Sequence, residues 1–527
     1  MRTIQKSKRA AEFGDFQTPR ALAHQACRLL TQLEIRPASI VEPTCGTGNF
    51  LAAALDEFGN ATEAIGLDIN PEYISAATSR LRGRGALLVC DSFFETDWPK
   101  LLGRLPEPIL VIGNPPWVTN AQLSALGSSN LPKKSNFQRL TGFQAITGKA
   151  NFDISEWMLI LMLEWLEGRN ATMAMLCKTT VARKVLTHAW KNQIHLNTSR
   201  IYGVDAAQHF GASVGACFLV CDTLPPGREC NCPVYKDMAA KKAAQAIGFR
   251  DGVPVADITL YHRWKHLQGE QVYKWRSGIK HDCSKVMELR SEGGRYRNRL
   301  GKVIELEDDY LFPMLKSSDL GAAIGKRPRR WMLVTQRAVG DETDIIRSRA
   351  PATWKYLEQH APFLDRRGSS VYKDRPRFSV FGVGPYTFAP WKVAISGFYK
   401  KLEFTVVGRF EGKPTVLDDT AYFIPCDTKG EAVYLASLFN SPIATEFFRA
   451  WVFWDTKRPI TAELLRRLDL LALARELGTE SRMLDYLSRK GKSHSRRCTG
   501  GRDVQGRLFS NGSSTRLLRT MGANDTA

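Results

Sequence analysis

The chain lacks any apolar run long enough to cross a bilayer. Its best stretch, Trp157-Met158-Leu159-Ile160-Leu161-Met162-Leu163, is broken by Glu164, well short of the roughly 20 residues a spanning helix needs. The basic N-terminus, Met1 to Ala10, is not followed by an apolar signal core, and there is no amphipathic or lipidation signal. A soluble, cytoplasmic protein is therefore expected. Cysteines number 11, an odd count, and are scattered, as reduced cytosolic thiols are. Cys217, Cys221, Cys230 and Cys232 lie close together, but the first two fall in a predicted buried strand and the spacing is not that of paired zinc knuckles. No metal is expected. Repeats at solenoid spacing are also missing.

What is present is ordinary globular material. Hydrophobic residues make up 43% and charged residues 24%, which excludes a wholly disordered, collagen-like or coiled-coil chain. A length of 527 residues implies two or more domains. Lys and Arg together number 74 against 53 Asp and Glu, a net charge of +21. Such an excess points to a polyanion, nucleic acid before an anionic membrane. It is unevenly spread: residues 1–225 hold 22 basic and 19 acidic side chains, and residues 226–527 hold 52 and 34.

Residues 20–220 alternate between strand-like and helix-like segments. Strands are expected at Ser39–Glu42, Ala64–Asp68, Ala86–Cys90, Pro108–Gly113, Thr172–Cys177 and Gly215–Cys221. Helices are expected at Asn49–Phe58, from Pro71 to Arg84, near Asp153–Leu166 and at Val181–Gln193. This βαβ alternation predicts an α/β fold: an open, doubly wound, parallel sheet with helices on both faces. Four regions are expected: 1–225, the α/β domain, ending at Thr223-Leu224-Pro225-Pro226-Gly227; 226–330, a connector; 331–488, a second, mixed α+β domain; and 489–527, a disordered basic tail with nine basic and two acidic residues.

The strongest local feature is Glu42-Pro43-Thr44-Cys45-Gly46-Thr47-Gly48-Asn49-Phe50-Leu51, between a predicted strand and a predicted helix. Gly46 and Gly48 let the backbone approach a ligand at the helix N-terminus. A dinucleotide fingerprint wants Gly or Ala where Leu51 stands, and the Walker Gly-Lys-Ser/Thr is missing. Asp68 and Asp91 close the second and third strands, lining the crevice at the strands' carboxyl ends. Asp68 is placed for ribose hydroxyls and Asp91 for an adenine amino group. With Glu42 they form an acid-lined pocket, suited to a cofactor bearing an ammonium and a sulfonium and not to a phosphate.

The fourth strand runs into Asn114-Pro115-Pro116-Trp117. Two prolines stiffen the backbone and remove two N–H donors, leaving the Asn114 side-chain oxygen and the Pro115 carbonyl as acceptors beside a planar ring. Acceptors so placed suit an exocyclic amino group on a flat ring. By pulling on its hydrogens they favour a nitrogen whose lone pair is aimed at an electrophile.

Together these residues resemble the gamma-class adenine-specific (N6) DNA methyltransferases of type II restriction–modification systems. The family's methionine-end motif matches Phe13-Gly14-Asp15-Phe16-Gln17-Thr18-Pro19, its cofactor motif Glu42 to Leu51, and its catalytic tetrapeptide Asn114 to Trp117, with Trp where Tyr or Phe is commoner. A base-stacking Phe is matched loosely by Phe210 in His209-Phe210-Gly211-Ala212-Ser213-Val214. Val393–Lys401, Thr420-Ala421-Tyr422-Phe423-Ile424, Leu438-Phe439-Asn440-Ser441-Pro442 and Lys457-Arg458-Pro459-Ile460 are similar to the family's C-terminal half.

The resemblance implies a Rossmann-like fold binding S-adenosyl-L-methionine through Thr18, Pro19, Glu42, Cys45, Gly46, Gly48, Asp68 and Asp91. Asn114, Pro115, Pro116 and Trp117 would be catalytic, with Phe16, Trp117 and Phe210 stacking on a flipped adenine in double-stranded DNA. It makes 331–488 a DNA target-recognition region and a separate cognate restriction endonuclease a possible partner. A fused nuclease is not expected: the cofactor motifs begin by residue 13, and there is no convincing Pro-Asp…Asp/Glu-x-Lys cluster downstream. Candidate phosphate contacts are Lys326-Arg327-Pro328-Arg329-Arg330, Arg366-Arg367 and Lys400-Lys401, while Trp275 and Tyr372 read as core. Alternative readings are a cytosine-N4 DNA methyltransferase, a methyltransferase acting on RNA or protein glutamine, and a non-catalytic DNA-binding protein.

Overall fold

The computed structural model describes residues 17–118, 153–224, 230–270, 272–292, 295–320 and 328–495, with side chains to residue 490. It divides into two compact units. Unit 1 runs to Arg263 and includes Arg449–Thr456; unit 2 comprises Trp264–Phe448 and the chain from Lys457.

Among the described residues, unit 1 is built on ten strands: β1 Ser39–Glu42, β2 Glu63–Asp68, β3 Ala86–Cys90, β4 Ile109–Gly113, β5 Ala171–Lys178, β6 Thr198–Val204, β7 Ala216–Asp222, β8 Asn231–Tyr235, β9 Gln245–Arg250 and β10 Val253–Val255. Their order is β10-β9-β8-β6-β7-β5-β4-β1-β2-β3. From β3 through β5 every pairing is parallel. Beyond β5 the expected parallel pattern fails, because β7 inserts antiparallel between β5 and β6. The connector expected at 226–330 is also divided. Its first strands, β8 to β10, extend this sheet, and the chain from Trp264 opens unit 2.

Burial on both faces explains the apolar strands. In β4, Ile109 and Val111 join one core with Val41, Ile65 and Met173. Leu110 and Ile112 join the other, with Ile40, Ala64 and Ala174. Alternate residues of a strand point to opposite faces, so a strand covered on both sides is apolar throughout. Helices α1 Arg20–Gln32 and α2 Asn49–Glu57 cover one face; α5 Ile154–Leu166 and α6 Thr179–Lys191 cover the other. Between them lie α3 Pro71–Arg80 and the short α4 Trp98–Leu102. Local chemistry sets their starts: the Asn70 side chain accepts from the Glu72 N–H at 2.9 Å ahead of Pro71, and Asp153 caps α5.

Among the described residues, unit 2 holds three sheets. A four-stranded one orders β11 Arg276–Ser277, β22 Ala421–Cys426, β17 Trp391–Ser396 and β18 Thr405–Val407. A six-stranded one orders β14 Val303–Ile304, β13 Arg295–Asn298, β12 Glu288–Glu292, β16 Arg330–Leu333, β15 Leu311–Leu315 and β21 Val416–Leu417. Strands β19 Arg409–Phe410 and β20 Lys413–Pro414 form a small hairpin. Trp275 is core, only 2% exposed. A helix, Glu480–Ser495, continues past residue 488, where a tail was expected to begin. No helix among the described residues is long and apolar enough to cross a membrane.

Candidate active site

The chain runs outward from β1 through β2 to β3, then returns to the other side of β1 as β4. That reversal is the topological switch point, where open α/β sheets bind ligands at their carboxyl ends. Glu42 ends β1 there and Asn114 follows β4. A Cβ on Gly113 would lie 3.5 Å from the Glu42 Cγ, so the cofactor and reaction motifs meet, although 71 residues separate Glu42 from Gly113 in the chain.

The glycine turn is tied down on all sides. The Cys45 N–H donates to the Leu67 carbonyl at 2.7 Å, and the Gly48 N–H to the Cys45 carbonyl at 2.8 Å. Gly46 and Gly48 both have left-handed backbone, φ 51° and 74°, and Gly48 caps α2. Glu42, 3% exposed, accepts the Leu51 N–H at 2.9 Å. Burial pushes its carboxyl well above the usual carboxylate range, the Leu51 N–H opposes that rise, and the Asp68 charge adds to it. The buried Cys45 thiol is likewise pushed up by burial, so it remains a thiol and part of the packing.

Asp68 and Asp91 are half-buried at the ends of β2 and β3 and organise the backbone around them. Asp68 accepts the Gly46 and Asn70 N–H groups, each at 2.8 Å. Asp91 accepts the Ser92 N–H at 2.8 Å and the Thr96 hydroxyl at 2.9 Å. Thr18 is buried and its carbonyl accepts from Asn49 at 2.9 Å; Pro19 precedes α1. Phe16 lies outside the described residues. Two neighbours were not singled out from the sequence. Gln17 accepts from the Thr47 N–H and hydroxyl at 3.2 and 3.1 Å. Arg80 donates to the Thr47 carbonyl at 2.7 Å and to Asn49.

At the other motif, Pro115 and Trp117 are buried and Asn114 and Pro116 half-buried. The Trp117 ring meets Phe210 edge-on, centroids 5.1 Å apart, in a cluster with Ala206 and Ala216. Phe210 ends the short helix α7 Ala206–Phe210, which stops at left-handed Gly211. Lys178, at the end of β5, donates to the Trp117 carbonyl at 3.1 Å and pairs with Asp153. That link spans 61 residues, and nothing near Trp117 in the sequence announces it.

Among the described residues no His, Cys, Asp or Glu group is arranged to hold a metal ion. Cys217 and Cys221 lie in β7 and Cys232 in β8.

No family model matches the chain. A type II methyltransferase of a Nostoc species, M.NspV, is 43% identical over 476 residues, which cover 90% of this chain and 98% of that protein. Among solved structures, the type IIL restriction–modification enzyme MmeI in complex with DNA matches with a TM-score of 0.52 at 13% identity. The match covers 85% of this chain and 64% of that one, so the chain spans a little under two thirds of MmeI's length. At that identity the likeness speaks for the fold. A doubly wound sheet with an acid-lined switch point is the architecture of a methyltransferase. The chain belongs to the type II methyltransferases, the modification enzymes of restriction–modification systems. The cofactor this family implies is S-adenosyl-L-methionine, and the residues fit it: a left-handed glycine turn at a helix start, and three carboxylates at successive strand ends.

Proposed function

We propose that the chain methylates the exocyclic N6 amino group of adenine in double-stranded DNA, as the gamma-class modification component of a restriction–modification system. The observation that carries this reading is the convergence of Asn114-Pro115-Pro116-Trp117 with Glu42 at the switch point, with Phe210 against the Trp117 ring.

The bound cofactor supplies an electrophilic methyl group next to a sulfonium. Glu42, Asp68 and Asp91 would hold its cationic and hydroxyl-bearing parts, with Gly46 and Gly48 admitting it to the backbone and Thr18 and Pro19 closing the methionine end. An adenine inside a duplex cannot reach Asn114, so it leaves the stack, at a cost of a few kcal/mol. Phe210 and Trp117, with Phe16, hold the extruded ring. The Asn114 oxygen and the Pro115 carbonyl would accept hydrogen bonds from its two amino N–H groups, leaving the nitrogen lone pair free to take the methyl group that the cofactor would supply as its carbon–sulfur bond breaks, with one amino proton passing to solvent. Residues 331–488, which fall mostly in unit 2, would carry target recognition, and a separate endonuclease would cut the unmodified site.

The test is incubation with methyl-labelled S-adenosyl-L-methionine and unmodified DNA, RNA or protein, followed by identification of the labelled base or residue. N6-methyladenine in DNA is expected, and Asn114→Ala should abolish it while leaving cofactor binding intact. N4-methylcytosine, or label in RNA or glutamine, would replace this reading; full activity in Asn114→Ala would remove its chemical basis.

A further inference from the structure

In the six-stranded sheet of unit 2, Arg290 of β12 stands directly opposite Arg297 of β13 on one side and Arg330 of β16 on the other. Directly opposed residues of antiparallel strands share a face, so three arginines form a row across three strands. At about 4.8 Å per strand the row spans about 10 Å. It lines a cavity of about 410 Å³, together with Arg299 and Lys316. Only two carboxylates, Glu288 and Glu292, line the same cavity.

Like charges set directly opposite one another destabilise a sheet, and here the compensation is incomplete. Arg297 pairs with Glu292 at 2.8 Å, Arg330 with both oxygens of Asp319 at 2.7 and 2.8 Å, and Lys316 with Glu288. Among the described residues, Arg299 has only the Ser284 hydroxyl, at 3.1 Å. The central Arg290 is exposed and, among the described residues, has no carboxylate within ion-pair distance. Packing does not require these charges: the neighbouring positions Leu289 and Trp331, 1% and 4% exposed, supply the core of this sheet. Arg297 and Arg330 are held by these pairs, whereas Arg290 adds a like charge between them with no carboxylate of its own among the described residues, a cost that an anionic ligand would offset.

We infer that this face binds phosphodiester groups of the DNA backbone, with Arg290 as its central contact. The inference rests on the DNA-methyltransferase reading above. Each strand of duplex DNA presents a phosphate about every 3.4 Å of axis, so a row of this length can meet more than one. Of the basic runs marked in the sequence, it draws in Arg330 alone. Lys326 and Arg327 lie outside the described residues. Arg367 is committed to the Leu364 and Ser379 carbonyls at 2.8 and 2.7 Å and covers the Tyr372 ring.

The test uses the full chain and a short labelled DNA duplex of mixed sequence, since a backbone contact needs no recognition site. Binding is measured from about 50 to 200 mM salt for the parent, Arg290→Gln and Arg290→Lys. Losing one phosphate contact should weaken binding several-fold at low salt and lower the slope of log K against log salt by about 0.9. Arg290→Lys should restore the slope. The Tm of Arg290→Gln should match or exceed the parent's, because a like-charge contact is relieved. An unchanged slope in Arg290→Gln, or failure of Arg290→Lys to restore it, overturns the assignment. So does displacement of the duplex by inorganic phosphate beyond its ionic-strength effect, which would mark a free-anion site. If the parent methylates DNA while Arg290→Gln binds as it does, only the cleft assignment falls. If the parent neither binds nor methylates DNA, the functional reading falls with it.

Discussion

Glu42→Gln separates charge from shape at the centre of the site. The glutamine oxygen can still accept the Leu51 N–H, a bond of 2.9 Å in the parent, so the first turn of α2 keeps its anchor. What disappears is an ionisable group. Burial holds the Glu42 carboxyl well above the usual range, so in the free protein it keeps its proton to a higher pH than an ordinary glutamate. A cationic ligand favours the ionised form. Cofactor binding should therefore release a proton, and affinity should tighten as pH rises toward the raised pKa. The effect on stability has the opposite sign. Above the ordinary glutamate pKa the unfolded chain ionises first, so the parent loses stability as pH rises toward the folded-state value. Glutamine removes that loss, and Glu42→Gln should melt no lower than the parent above neutral pH. A hydrogen bond to a charged group contributes about 1.5–3 kcal/mol, so its Kd for the cofactor should weaken roughly ten- to a hundredfold. Calorimetric titration in buffers of different ionisation enthalpy counts the proton directly. A variant that binds as tightly as the parent, with the same proton release, would refute the reasoning.

Two further substitutions test the scaffold. Gly46→Ala places a Cβ 2.8 Å from the Gln17 Oε1 on a left-handed backbone. It should cost about 1–2 kcal/mol from backbone conformation alone, lower the Tm in a thermal melt and weaken cofactor binding; an unchanged Tm and Kd would show that the turn relaxes freely. Lys178→Met leaves the Asp153 carboxylate buried without its cation and removes the donor to the Trp117 carbonyl. About 3 kcal/mol of destabilisation is expected, largely recovered in Lys178→Met/Asp153→Asn, and denaturant melts of the parent, the two single variants and the double variant form the cycle that checks it.

The parts of the fold legible in the sequence were those where periodicity and burial agree. The run Ile109-Leu110-Val111-Ile112 could only be a strand covered on both faces, and β4 is that strand. The turn between β1 and α2 was legible because glycine marks left-handed backbone. Strand β6 was missed because its inward positions are not uniformly apolar: Ser199 is buried through a hydroxyl bond to the Asn231 carbonyl at 3.0 Å. The antiparallel insertion of β7 between β5 and β6 depends on contacts distant in sequence, which a local pattern does not carry. The Pro-Pro-Gly stretch after Leu224 resembled a domain boundary, yet the sheet resumes at β8. An edge strand is short and tolerates proline, as Pro254 of β10 shows. At the site the acids were legible by position, but not their partners. Asp68 organises its loop through the Gly46 and Asn70 N–H groups, which any residue but proline supplies, and Asp91 through the Ser92 N–H and the Thr96 hydroxyl.

The charge balance illustrates why a count is not a contact. Residues 226–527 carry 52 basic and 34 acidic side chains, which taken at face value would imply a very steep salt dependence of DNA binding. The structure shows that many of these cations are already engaged. Arg367 braces backbone carbonyls, Arg377 pairs with Asp365 at 2.7 Å, and Arg475 pairs with Glu480 at 2.7 Å. A guanidinium that holds its own fold releases no counterion when DNA arrives. The salt slope should therefore count the uncommitted cations, of which Arg290 is the clearest, and fall well below what the net charge suggests. The excess in the sequence sets an upper bound on the grip, and Arg290 of β12, between the paired Arg297 and Arg330, is the cation to which we assign part of it.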